Sequence, residues 1–353
     1  VLLAAGVMLL AGTAAHFVAA EQLARGEPVR LAAVESRRQS QAVAINAEGT
    51  IVGFAFDPAP RTAVVWPNGM PAAVLAPLPG ESESQASAIN ELGVAVGWSR
   101  NTDGRHTAVV WGRDGVPIAL AALPGDLDSR ATGINEAGLI VGTSSANDVD
   151  RAVIWERRGS PTVLPQLPRH PDGEARGLNG VGRVVGWSES ERDPESGYTT
   201  KTAMIWERDG SNQALPPLPG DAESLALATH PAGIVVGESA RTIPGDPVIF
   251  RFSAVLWNRD GRAHPLAPLP GNDEVTMADG ELFAGSAARA IARSGVIVGS
   301  SGRRGALWDA DGHVSMLTPL PGDSRSWADG VNDDGVAVGR SGDESHRTAV
   351  VWR

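Results

Sequence analysis

The chain has 353 residues, with 42 Gly, 25 Pro, 10 Trp and no Cys, and a formal net charge of −11. The absence of cysteine excludes a disulfide framework, thiolate metal sites and a cysteine nucleophile. The acidic balance, with no basic run, argues against nucleic acid or an anionic membrane surface as a partner.

Residues 1–20 contain no Lys, Arg, Asp or Glu. Val18-Ala19-Ala20 ahead of Glu21 fits the small-residue rule for signal cleavage. The expectation for 1–20 is a secretory signal peptide, with an N-terminal membrane anchor as the alternative, because about 20 apolar residues can span a bilayer. Either places residues 21–353 outside the cytoplasm, in a secreted, periplasmic or cell-surface protein.

From there the chain is one repeated unit. A small-Ile-Asn-x-x-Gly-x-x-Val-Gly segment recurs from Asn46, Asn90, Asn135, Asn179 and Asn332, with His230 and Ala292 in the Asn slot of two degenerate copies. Each copy is followed by an apolar run ending in Trp66, Trp111, Trp155, Trp206, Trp257, Trp308 or Trp352, at spacings of 45, 44, 51, 51, 51 and 44. Each unit reads as four short strands. A Ser-x-Ala-x-small-Ile-Asn strand leads into an Asn-x-x-Gly type I turn. A Gly-x-x-Val-Gly strand and the Ala-apolar-apolar-Trp strand follow. An Asp-Gly turn such as Asp114-Gly115 then opens a fourth strand, expected to end in Leu-Pro. Seven four-stranded antiparallel units predict an all-β, seven-bladed β-propeller spanning 21–353 as a single domain.

Two features test that prediction. Four residues before the Asn slot every copy has alanine (Ala42, Ala86, Ala131, Ala175, Ala226, Ala288, Ala328), and two residues before it every copy has Ala or Gly. Strand alternation puts both positions on one face, where seven converging blades leave least room. Residues 26–34 match 115–123 without a gap, which makes the leading segment a fourth strand, while the last unit stops at Trp352-Arg353. The N-terminal strand is therefore expected to complete the last blade, closing the ring and covering an open edge. Such a closed ring is expected to be monomeric.

The Gly-x-x-Val-Gly-x-Ser segment, the x-Ala-apolar-apolar-Trp run and the Leu-Pro-Gly-Asp-x-x-Ser lead together resemble the bacterial extracellular HAF repeat, over residues 26–353. The His-Ala-Phe of that pattern is replaced here, by Thr62-Ala63-Val64, Thr107-Ala108-Val109, Arg151-Ala152-Val153 and Thr202-Ala203-Met204. The resemblance implies an exported repeat protein and brings no catalytic residues.

The seven repeat tryptophans are expected to pack between blades, since a binding site rarely needs one residue in every repeat. Three others, Trp98, Trp187 and Trp327, fall outside that slot and are candidates for ligand binding. Tyr198, the single tyrosine, joins them from a long loop. Long loops at 189–201, 240–252 and 272–285 are expected on one face, the usual place for binding on a rigid scaffold. Asp126, Asp128, Asp221, Glu223, Asp273, Glu274 and Asp323 gather near that face. Calcium is the one cofactor such oxygens could hold, although no stretch has the spacing of a calcium loop. The histidines show no metal-binding pair, and there is no nucleophile elbow or phosphate loop. The functional expectation is a non-enzymatic binding scaffold for a glycan, peptide or protein. Alternatives are a carbohydrate-active hydrolase or lyase on the same scaffold, and a structural surface protein.

Overall fold

The local rule of the repeat is a hairpin turn. The amide of Gly93 donates to the carbonyl of Asn90 at 3.0 Å, and Asn90 Oδ1 accepts the amides of Leu92 and Val94 at 3.1 and 3.0 Å. Gly93 has φ +72°, a left-handed conformation that glycine adopts without steric penalty.

Around these turns a computed structural model gives an all-β chain. It describes residues 27–353 apart from 35–36, 58–59, 69, 157–158, 195–196, 244–248, 273–275, 279–280, 284 and 344. The signal or anchor expected at 1–20 lies outside the described residues. Seven four-stranded antiparallel sheets form the blades. Their inner strands are Gln39–Ile45, Glu83–Ile89, Asp128–Ile134, Asp172–Leu178, Glu223–Thr229, Ser286–Ile291 and Ser326–Val331, for blades 1 to 7 in order. The outer strand of blade 7 is Pro28–Arg30, which pairs with the last strand, Pro28 opposite Trp352 and Val29 opposite Val351. The expected closure is therefore present.

Seven apolar clusters lie between neighbouring blades. The alanines four residues before the Asn slot are fully buried in them. The expectation that the two small positions share a face fails. Every inner strand carries a bulge between them, as between Ala86 and Ala88. Ala86 packs with Val52 and Ala63 of blade 1, whereas Ala88 packs toward Ala131 and Trp155 of blade 3. The extra residue breaks the two-residue alternation, so both faces of the inner strand need a small side chain. At Gly330 a Cβ would come within 2.8 Å of the Val43 carbonyl oxygen in the next blade.

The bulge also explains the glycine that ends each Gly-x-x-Val-Gly segment. Gly53, Gly97, Gly142, Gly186, Gly237, Gly299 and Gly339 lie opposite it, and a Cβ on any of them would overlap the carbonyl oxygen of the inner-strand residue beside the alanine.

Blade-to-blade hydrogen bonds account for the other repeated letters. Each repeat tryptophan donates its Nε1–H to a carbonyl just past the preceding blade's outer strand, from Trp66 to Ala32 at 2.9 Å through Trp352 to Thr318 at 2.8 Å. A serine of the inner strand accepts a third-strand amide of the preceding blade, as Ser84 does from Ala63 at 2.9 Å. The serine after Val-Gly accepts a leucine amide, as Ser239 does from Leu218 at 2.9 Å. Asn Nδ2 groups donate to the next blade's slot carbonyl, Asn46 to Asn90 at 3.2 Å and, across the closure, Asn332 to Asn46 at 3.2 Å. His230 substitutes by accepting the Ala232 amide at Nδ1 and donating from Nε2 to Arg293 O at 3.1 Å. Ala292 cannot donate, and there the Arg293 amide reaches Asp333 Oδ1 at 2.8 Å.

Two further expectations change. The outer strands hold three or four residues, as in Pro117–Ala119, and end before Leu-Pro, which lies in the connection whose leucine amide meets that serine. The stretch 240–252 is not a loop, because the hairpin of strands Val235–Ile243 and Ile249–Trp257 stays paired through Ala240–Phe252 to Ile243–Ile249. Within 272–285, Thr276–Ala278 pairs with Glu281–Phe283.

Gly97→Ala is expected to destabilise by about 1–3 kcal/mol or more through the backbone overlap, and Trp111→Ala by about 3–5 kcal/mol through the cavity and lost hydrogen bond; urea denaturation measures both. Deleting residues 27–34 should lower the melting temperature more than deleting 21–25, because it removes the strand paired to blade 7 and the acceptor of Trp66. His230→Asn should retain stability that His230→Ala loses.

Candidate functional site

The slot beside the bulge follows no repeat rule. At this level each inner-strand residue faces a second-strand residue: Gln41–Phe54, Gln85–Trp98, Arg130–Thr143, Glu174–Trp187, Leu225–Glu238, Ala287–Ser300 and Trp327–Arg340. One bulge residue per blade lies just below, the series being Val43, Ser87, Thr132, Arg176, Leu227, Arg289 and Asp329. These side chains meet across the inner edges of adjacent blades. Gln41 Nε2 donates to Asp329 Oδ2 at 3.0 Å, and Arg340 Nη1 donates to Gln41 Oε1 at 2.9 Å. Arg289 Nε stands 4.0 Å from Asp329 Oδ1. Because the inner strands begin at the face that carries the connections between blades, these pairs form the axial mouth on that face.

Trp98, Trp187 and Trp327 all belong to this ring. Trp98 and Trp187 are 8% and 7% exposed, and Trp327 is half-buried. Each carries a cation on its ring. Arg61 lies 5.8 Å from the Trp98 centroid, Lys201 4.5 Å from Trp187 and Arg340 4.4 Å from Trp327. His106 meets Trp98 edge-on at 4.7 Å. The three rings thus support cations and offer no open stacking platform. Tyr198 is 55% exposed in the loop of blade 4, apart from the mouth slot.

Both signs of charge line the mouth, with Glu83 and Asp329 among the basic groups and Arg130, Arg176 and Lys201 among the acidic ones. Arg61, Arg100, Arg340 and Arg347 come from blades 1, 2 and 7. Asp150, Asp172, Glu174, Glu189, Glu223 and Glu238 come from blades 3 to 5. Burial pushes the Glu238 carboxyl above its usual range, and Arg289, Arg176 and Lys201 offset this only in part. Glu174 is raised by the same cause despite Arg176 Nη1 at 3.1 Å. Glu223 and Asp172 are also raised, by burial first, with Glu189 adding to both. His106 is lowered by burial and then by Arg130, whose Nη2 lies 3.0 Å from its Nδ1. Sequence reading passed over Glu174, Glu238 and Arg176. Their signal was departure from the repeat at fixed slots, visible once the copies are aligned.

Of the acidic residues near this face, Asp126, Asp221 and Asp323 accept the hydroxyls of Ser144, Ser239 and Ser341 at 2.6–2.7 Å, and Asp128 accepts the His106 amide. Asp273 and Glu274 lie outside the described residues. Among the described residues, one group has metal-ligand geometry, Asp309, Asp311 and His313. It is an exposed turn in which Asp309 Oδ1 already accepts two amides.

No family model matches the chain, so the HAF resemblance rests on its motifs alone, and no curated protein matches it either. Solved structures do. Virginiamycin B lyase from Staphylococcus aureus is 10% identical over 93% of this chain and 98% of its own, with a TM-score of 0.58. A prolyl endopeptidase is 9% identical over 92% of this chain and 48% of its own, TM-score 0.53. The extracellular domain of a hybrid two-component system from B. thetaiotaomicron is 6% identical over 93% and 40%, TM-score 0.52. At these identities the likeness is one of fold. Among the described residues no helix is long and apolar enough to cross a membrane.

A carboxyl raised by burial costs stability once pH exceeds its unfolded value, and the cost vanishes when both states are protonated. Glu238→Gln should therefore raise the melting temperature at pH 7. Scans at falling pH should show the advantage shrinking to nothing below the ordinary glutamate range.

Proposed function

We propose that this chain is an exported, non-enzymatic binding scaffold whose ligand, a peptide or glycan, seats on the axial mouth. One observation carries the reading. Positions that the fold needs are the same in nearly every blade, whereas the cross-strand pair at the mouth differs in all seven, and its inner-strand slot brings six residue types, Gln, Arg, Glu, Leu, Ala and Trp, to one ring. A packing requirement would repeat with the blades. An irregular ring of hydrogen-bonding and charged groups on a rigid frame suits recognition of one asymmetric ligand. Trp98 and Trp327 serve it by holding Arg61 and Arg340 in place, Trp187 by forming part of the wall of the mouth, and Tyr198 serves from the rim. Export rests on the charge-free leading segment.

A second reading, a carbohydrate-active hydrolase or lyase, is favoured by the raised carboxyls of Glu174 and Glu238, since a general acid near neutral pH needs such a shift. Product release from oligosaccharides that Glu174→Gln abolishes would select it over binding.

The test of the first reading is binding of the whole chain to peptide and glycan arrays. Arg130→Glu, in the mouth, should abolish the signals, and Leu92→Lys, on an exposed turn of the opposite face, should leave them intact. The reverse pattern would refute the mouth as the site.

A further inference from the structure

Glu238 is the most unusual group at the mouth. It takes the second-strand slot that Trp98 and Trp187 fill in other blades, and its cross-strand partner is Leu225. Protein surrounds it on nearly all sides while part of its surface still meets solvent. Among the described residues no hydrogen bond or ion pair reaches its carboxylate. The nearest cations are committed elsewhere: Arg176 to Glu174 at 3.1 Å, Arg289 toward Asp329 at 4.0 Å, and Lys201 to Glu189 at 3.9 Å and to the Trp187 face. A half-buried carboxylate that no protein donor meets is left to water or to a donor brought by a ligand.

Lys201 shows what this sector accommodates. Its ammonium rests on the Trp187 ring and feels Glu174, Glu223 and Glu238 at once, yet among the described residues its one close carboxylate is Glu189. Lys201, Arg130, Arg176 and Arg289 are thus set among Asp150, Asp172, Glu174, Glu189, Glu223 and Glu238, more carboxylates than these four cations can neutralise. Leu225 and Leu227, half-buried on the inner strand of blade 5, supply an apolar wall for a methylene stem.

We propose that the blade 4–5 sector of the mouth is a pocket for a primary ammonium on an alkyl stem, with Glu238 as its main acceptor and Lys201 as a built-in competitor. This rests on the mouth being a binding site, and it narrows the ligand to one bearing an alkylammonium, such as a lysine side chain of a peptide. In the occupied pocket the ammonium donates to Glu238 and the stem lies along Leu225 and Leu227.

The test is calorimetric titration of the whole chain with 1,5-diaminopentane at pH 7. Wild type is expected to bind, Glu238→Gln to lose about tenfold or more in affinity, the scale of one charge-assisted hydrogen bond, and Lys201→Met to bind more tightly. Melting curves of both variants show that each is folded. Equal affinity of wild type and Glu238→Gln, weaker binding by Lys201→Met, or no binding by any of the three would overturn the proposal. Array binding that maps to the mouth while diaminopentane fails would defeat the ammonium pocket alone. Diaminopentane binding that depends on Glu238, with array signals that ignore Arg130→Glu, would support the pocket and defeat the broader reading.

Discussion

A ring has no terminal interface, so the last blade must make with the first every contact that each other pair makes. That requirement governs this molecule. The Asn332 amide reaches Asn46 as Asn46 reaches Asn90. The Ala349 amide meets Ser40 as that of Ala63 meets Ser84. Trp66 donates to Ala32, a residue far away in sequence from its blade-7 partners. Each bond is modest, about 0.5–1.5 kcal/mol net, but the same set acts at every joint, and a joint that failed would expose two apolar faces and a sheet edge together.

The inner strand is where this closure is tightest. Its bulge turns one alanine toward the preceding blade and the next small residue toward the following one, and forces a glycine opposite. What remains free is the slot beside the bulge and the bulge residue itself. Within the inner strands the variation from blade to blade concentrates there, and there, with the facing second strand, the chain places charged groups that a packed core would reject: Glu174, Glu238, Arg176 and Arg289. The partial burial of Glu174 and Glu238 works against stability, which is the physical mark of a surface shaped for something other than folding.

The seven-blade count, the radial crowding and the closing strand were legible because each is written as identity at a fixed period. Seven tryptophans with one partner geometry need no coordinates to be recognised as structural. The misreadings arose where a local event broke a period. One extra residue per inner strand reversed the facing of Ala88 and its equivalents. Pairing that ran past its usual end turned 240–252 from a loop into a hairpin. Trp98, Trp187 and Trp327 were correctly marked as outside the repeat, but only the fold shows their rings covered by cations.

The sequence by itself determined the architecture, because repetition converts a three-dimensional packing requirement into a one-dimensional pattern: the residue that fits one joint must recur at every joint. The mouth was decided by tertiary structure. Glu238, Arg289 and Arg176 come from three blades, separated in the chain by whole repeats, and nothing in their spacing announces that they converge. They become one electrostatic site only when the circle closes and brings seven inner strands around a common axis.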